Sequence, residues 1–478
     1  MRKRTRLCVL TGVLLALCAA AFAVSRYEQK KEDIKNSGEV ILEIPPESVT
    51  ALSWTNGSGS YSFTKDGVWT YDADAAFPVD AEKINALLSQ FGSFTAAFVI
   101  DDVEDYSQYG LDEPVCTVCI DTEDGEYTVA LGGYSKMDAQ RYVSLGDGRA
   151  YLAEHDPLDE FDAQLSDMIL DDTVPAIGTA EKIVFEGDEN YTAVRDEQGK
   201  SICAEDIYFT DGSPLDTENV NAFLSALRSL SLTDYVSYNV TEDELASCGL
   251  DAPALTVAVD YAPEDGEGDE NEEESEEKAS GTFVLHLSQD PEELAEYEKA
   301  QEKESAELPD VTCYARVGDS QIVYRITRSE YDALTDVSYD TLRHQEIFTA
   351  DFDEALSIDA AVDGESHSFV CAAAEKDDEE AQDTWTYNGA EFEIHDLRAA
   401  LRSLTAAEFT DEQPSGREEI ALTVHLDNAD FPEFTLALFR VDGTSCLAVV
   451  DGQPLALVPR SQCVELVEAV NRVTLAAS

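Results

Sequence analysis

The stretch Phe77-Pro78-Val79-Asp80-Ala81-Glu82-Lys83-Ile84-Asn85-Ala86-Leu87-Leu88-Ser89-Gln90-Phe91 decides how this chain is read. Apolar residues recur at Ile84, Leu87, Leu88 and Phe91, the i, i+3, i+4, i+7 spacing that puts one stripe on one face of a helix. Asp80 stands where a helix N-cap would accept backbone N–H groups, and Val79 with Ile84 has the N′ to N4 spacing of a hydrophobic staple. The pattern occurs again. Leu215-Asp216 precedes Val220, Phe223, Leu224 and Leu227, with Leu215 and Val220 at the staple spacing. A third copy has Leu397, Ala400, Leu401 and Leu404, with Phe392 and Leu397 at that spacing.

The segment C-terminal to each helix repeats as well. Tyr109-Gly110-Leu111-Asp112-Glu113-Pro114 leads into Thr117-Val118, and Cys248-Gly249-Leu250-Asp251-Ala252-Pro253 leads into Thr256-Val257. Glycine supplies an unusual backbone angle and proline makes the preceding residue extended, so the element turns a loop into a strand. Asp112 and Asp251 have the position of Asx-type caps, which explains their spacing without a ligand. The third copy keeps only the strand Ala421-Leu422-Thr423-Val424. Hairpin signals surround these elements: Asn56-Gly57, Asp66-Gly67, Asp147-Gly148, Gly318-Asp319 and Asp451-Gly452. Asp159 to Leu170 reads as a short helix.

The fold class is therefore α+β: three tandem repeats, each a small, mainly antiparallel sheet packed by one or two helices. Repeat one spans 39–172, repeat two 173–346 and repeat three 347–478. A length of 478 residues agrees with three domains of roughly 150 residues each. Repeat two carries two insertions. Residues 262–280 are nearly all Glu, Asp and Gly, which predicts a disordered, self-repelling loop. They lack the spaced ligands and central Gly of an EF-hand loop. Residues 290–308 start Asp290-Pro291 and read as a solvated, charged helix.

At the N-terminus, 1–6 is a basic tail with Arg2, Lys3, Arg4 and Arg6, and 7–24 is an uncharged apolar run. A helix of that length reaches about 27 Å, close to the hydrocarbon thickness of a bilayer. The basic side marks the cytoplasm, so a transmembrane signal anchor would leave the bulk extracytoplasmic, beyond a polar stalk at 25–38. The alternative is a cleaved signal peptide, with Ala21-Phe22-Ala23 as the small-x-small site and the mature chain secreted after cleavage near Ala23. Length favours the anchor. Cys18 follows Leu17, where a lipoprotein site needs a small residue.

The chain has 100 acidic and 31 basic residues, a net charge of −69. Such a surface repels nucleic-acid phosphates and anionic headgroups, so no nucleic-acid partner is expected. Cys116 and Cys119 form a CxxC, but on a strand positions i and i+3 face opposite sides. Cys313 and Cys446 occupy the slot that Tyr142 fills in the first repeat, which reads as apolar packing. The six histidines, His155, His286, His344, His367, His395 and His425, show no metal spacing to one another or to cysteine, and no phosphate loop or nucleophile elbow occurs. No catalytic residue, metal ligand or cofactor is assigned. A hydrolase would need a triad assembled from residues far apart in sequence.

The Trp strand, stapled helix, Tyr-Gly-Leu-Asp-x-Pro turn and Tyr-Val…Tyr-Leu hairpin together resemble the bacterial family known as domain of unknown function 4340. The resemblance is strongest over 49–172, good over 179–346 apart from the insertions, and weak beyond 350. It implies one N-terminal membrane helix and an accessory or scaffold role, without enzymatic activity, beside the permease and ATPase subunits of a gliding-motility-type ABC transporter. The acidity suggests a second reading, a binding module for a cationic envelope ligand or polymer. Oligomeric state is not legible.

Overall fold

The computed structural model describes residues 38–263, 280–302, 308–372 and 384–476. The expected anchor at 7–24, all of the stalk but Gly38, and the acidic stretch 264–279 lie outside the described residues. Among the described residues, no helix is long and apolar enough to cross a membrane.

The chain divides into two compact units. The first comprises the described residues through Asp172 together with Tyr235–Val240; the second comprises Thr173–Asp234 and the described residues from Thr241 onward. The first unit holds a nine-stranded antiparallel sheet in the order Glu39–Leu42, Phe94–Ile100, Ala150–Ala153, Gln140–Ser144, Gly125–Ser135, Cys116–Thr122, Val49–Asn56, Gly59–Asp66, Val68–Tyr71. The second unit holds two more sheets. Eight of the nine strands of one run Ser213–Leu215, Tyr208–Thr210, Asn190–Arg195, Ile177–Gly187, Leu255–Pro263, Gly281–Gln289, Cys313–Val317, Val323–Ile326. The other runs Ala390–Phe392, Thr384–Tyr387, Glu365–Ala372, Ala355–Val362, Glu418–Leu426, Glu433–Arg440, Ser445–Val450, Gln453–Pro459, Glu408–Phe409. In each, an opening meander joins the later strands through one central antiparallel pair.

The sequence pattern predicts three sheets but not their width. Edge strands of two or three residues, such as Glu408–Phe409 and Ala390–Phe392, carry no readable period of two. A second feature beyond the pattern occurs in all three. Each opening strand carries a bulge against its central partner, between Val49 and Ala51, Ala180 and Lys182, and Ala355 and Ser357. The extra residue shifts the inward face by one, so burial steps from Val49 to Leu52, Ala180 to Ile183 and Ala355 to Ile358.

The helices cover the sheets. Ala81–Ser89 buries Ile84, Leu87 and Leu88, with Phe91 just beyond its end; Thr217–Arg228 buries Val220, Phe223, Leu224 and Leu227. His395–Arg402 buries Leu397, Ala400 and Leu401, and the closing helix Arg460–Ala476 buries Cys463, Leu466 and Val470 beside it. Each large side chain in these stripes contributes roughly 1.5–3 kcal/mol on burial. The segment 159–170 is not one helix. Leu158–Phe161 and Leu165–Met168 are separate turns, because Gln164 is extended (φ −105°, ψ 173°). The charged insertion forms a helix, Pro291–Gln301, with no buried residue.

Candidate functional site

The residues singled out in sequence fall into two local structures. The first is the helix entry. Asp80 accepts hydrogen bonds from the backbone N–H of Glu82 (2.9 Å) and Lys83 (3.3 Å), and Asp216 accepts one from Glu218 (2.8 Å). Val79 and Ile84 flank the first cap, Leu215 and Val220 the second. Both cap residues also donate their own N–H to the segment that closes their repeat, Asp80 to the Met168 carbonyl and Asp216 to the Leu342 carbonyl, each at 2.9 Å. The third helix differs. It starts at His395 after Ile394, which has no side-chain oxygen, so Phe392 lies one residue too early for a staple and Leu397 is only the third helical residue.

The second structure is the Gly-Leu-Asp-x-Pro turn, which ends a helix. Gly110 (φ 66°) closes Tyr106–Tyr109 and Gly249 (φ 70°) follows Glu242–Ser247. Leu111 donates its N–H to the Tyr106 carbonyl and Leu250 to the Leu245 carbonyl, a helix-terminating pattern in which both leucines are buried. Pro114 and Pro253 are half-buried at the entry to the next strands. Asp112 and Asp251 are exposed, and neither is among the acceptors of the turn; Asp105 caps the first turn, and Thr241 with Glu244 forms a capping box in the second. The capping role expected of Asp112 therefore belongs to residues earlier in the chain.

Cys116 is buried and Cys119 half-buried on opposite faces of one strand, and neither is in a disulfide. Cys313 and Cys446 are buried.

A third arrangement is one that sequence spacing does not reveal. His344, read in sequence as isolated, lies between two carboxylates. Its Nε2 is 2.9 and 3.0 Å from the two oxygens of Asp206, and its Nδ1 is 3.5 Å from Asp216 Oδ2. The Asp206 side chain is 1% exposed and also accepts a hydrogen bond from Ser201 Oγ at 2.6 Å. The Cys203 backbone N–H donates to the same Ser201 oxygen, and Asp206 N–H donates to the Cys203 carbonyl. Cys203, Asp206 and His344 thereby bring one S, one O and one N atom within 4.8 Å of one another; Asp216, His344 and Glu346 form a second such set on the same imidazole. Asn219 holds the His344 segment by donating to the Arg343 carbonyl at 3.2 Å.

The electrostatics are one-sided. Burial pushes the His344 imidazole toward neutrality, but the Asp206 hydrogen bond and the charges of Asp206, Asp216 and Glu346 outweigh it, and its pKa is raised. Burial also pushes the Cys203 thiol up, reinforced by Asp206, Glu205 and Asp216. A nucleophilic cysteine needs a positive surrounding. Here carboxylates surround the thiol, which favours an ion pair or a cation site over a thiolate nucleophile.

Sequence spacing could not expose this group, because Asp206 and His344 are 138 residues apart. The matching backbone bonds of Asp80 to Met168 and of Asp216 to Leu342 give one clue. Leu170 lies two residues after Met168 as His344 lies two after Leu342, so the second repeat replaces an apolar side chain with an imidazole.

Residues 69–253 match the model of a family described as a domain of unknown function, DUF4340. Over this stretch the chain is similar to that family. The matched segment begins in the third strand of the first meander and ends at the second Gly-Leu-Asp-x-Pro turn. It contains Cys203, Asp206 and Asp216 but not His344 or Glu346. No curated protein and no solved structure matches the chain.

Proposed function

We propose that this protein is a non-enzymatic, extracytoplasmic accessory or scaffold subunit of an ABC-type envelope transport assembly, anchored by residues 7–24. The observation that supports it most is repetition: one order of seven neighbouring strands, three of the opening meander and the four beyond the central pairing, recurs with one bulge position in three broad sheets. Repeated modules offer several similar contact surfaces along one chain, which suits an assembly component. The basic tail and apolar run support a single membrane span with the bulk outside. Crosslinking in the native membrane, gentle solubilisation and mass spectrometry test the proposal. Permease and ATPase subunits should co-purify in amounts comparable to this chain; recovery of the chain alone, soluble and cleaved after Ala23, would sink it. The excess of 100 acidic over 31 basic residues favours one second reading, capture of a cationic envelope ligand or polymer, whose binding would weaken with added salt.

A further inference from the structure

We propose that Cys203, Asp206 and His344 bind a divalent transition-metal ion of the zinc class, and that the ion ties the 201–206 loop to the segment entering the third sheet. This site is independent of the transport reading and is argued from its geometry.

The three donor atoms already lie within 4.8 Å of one another. Thiolate sulfur, imidazole nitrogen and carboxylate oxygen together are the donor set of zinc rather than of calcium or magnesium, which select oxygen. Asp206 places a carboxylate at 1% exposure beside the other two donors, where a buried anion needs hydrogen-bond donors or a cation against it, as Ser201 and His344 already supply. The supporting contacts are those of a metal site. Ser201 Oγ holds one Asp206 oxygen, and Asp216 faces the imidazole Nδ1, leaving Nε2 toward Asp206. Binding would release the Cys203 thiol proton and the proton on His344 Nε2 to solvent; no redox change is involved.

The location gives the ion a mechanical role. Ile202, next to Cys203, packs against the core of the third sheet, and Lys200 forms an ion pair with Asp430 of that repeat. From the other side, Glu346 bridges to Thr405, and Ile347 N–H donates to the Leu404 carbonyl. A cation at Cys203, Asp206 and His344 therefore links two sequence-distant segments that both run onto the third sheet. The competing set, Asp216, His344 and Glu346, lacks sulfur and is more exposed, so it suits a weaker, harder ion.

The test uses the full-length chain in detergent with cobalt(II) as the probe, since cobalt bound by a thiolate shows an intense sulfur-to-metal charge-transfer band in the near ultraviolet. The expected result is one tightly bound equivalent with that band, displaced by zinc. The band should vanish in Cys203→Ser, survive in Glu346→Gln, and require about tenfold more metal in Asp216→Asn. Cys203→Ser is nearly isosteric, and its circular dichroism reports whether the fold persists. Absence of the band in the native chain would mean that His344 is an ion-paired imidazole only. A band that persists in Cys203→Ser, or metal uptake lost in Glu346→Gln, would also overturn the proposal.

Discussion

Gly132 sits where a side chain has no room. A Cβ there would lie 2.5 Å from the Tyr109 carbonyl oxygen and 2.9 Å from the Leu111 side chain. Gly110 meets the same strand from the other side: its φ is 66°, and a Cβ would lie 2.9 Å from the Gly133 nitrogen. The turn and the strand thus pack backbone to backbone. Gly67 separates the two effects, since its φ is 77° but nothing lies within 4 Å of its Cβ position. Gly67→Ala should cost only the left-handed backbone penalty, about 1–2 kcal/mol. Gly132→Ala has no such penalty and should cost about 1–3 kcal/mol from overpacking; Gly110→Ala combines both and should be the worst. Urea midpoints of the three variants check this, and an unchanged midpoint for Gly132→Ala would contradict the close approach. A second residue-scale expectation concerns Asp442. Its carboxylate accepts from the N–H of Thr444 and Ser445 and from both hydroxyls, chiefly the Thr444 amide, which lowers its pKa from 3.8 to about 2. The folded value is depressed, so the stabilisation is complete above about pH 3.8 and is lost as pH falls through about 2. Carboxyl-carbon NMR of Asp442 should titrate near 2; a midpoint near 3.8 would show that the loop bonds do not persist in solution.

At the scale of elements, the helices divide by how they begin. Asp80 caps the first, Asp216 the second, and nothing caps the third through a side chain. Asp80→Ala should therefore destabilise the first helix by about 1 kcal/mol. Leu397→Ala, at 1% exposure in the uncapped helix, should cost about 2–5 kcal/mol, because packing rather than capping holds that helix. Thermal melts of both variants test the ordering, and a larger loss in Asp80→Ala would reverse it. The stripes and the first two caps are legible in sequence because a period of 3.6 and a cap are both local. The opening-strand bulges are not, because a bulge is defined by the partner strand, which lies dozens of residues away. The break at Gln164 is hidden because a single extended residue leaves the apolar spacing of Phe161, Leu165 and Met168 intact. The Cys203, Asp206 and His344 group escapes for the strongest form of the same reason. Cys203 and Asp206 share one loop, but His344 lies 138 residues from Asp206, and only folding of the second repeat places the imidazole beside that loop.

At the scale of the whole molecule, two electrostatic effects oppose each other. Ion pairs such as Arg141–Asp156 at 2.6 Å and Arg398–Asp353 at 3.0 Å favour the fold and are weakened by salt. The net charge of −69 acts the other way, since folding concentrates the excess carboxylates and salt relieves their repulsion. Magnitudes decide between them. Most of the pairs have at least one exposed partner, as Arg417–Asp363 does at 71% and 73%, and such pairs are worth about 0–1 kcal/mol each. With 31 basic residues against 100 acidic ones, most carboxylates have no cationic partner to lose. At an ionic strength of about 0.01 M the screening length is about 30 Å, so repulsion sums across a whole sheet; at about 0.1 M it falls to about 10 Å and reaches only near neighbours. Added salt should therefore stabilise this protein. Raising NaCl from about 10 to about 300 mM should lift the melting temperature by several degrees, each kcal/mol corresponding to about 2–4 °C in domains of this size. Tetramethylammonium chloride at equal ionic strength should do the same, because screening does not depend on which cation supplies it. A melting temperature that falls with NaCl would mean that the ion pairs outweigh the net charge. A rise with NaCl but not with the bulky cation would mean that sodium binds specific carboxylates rather than screening all of them.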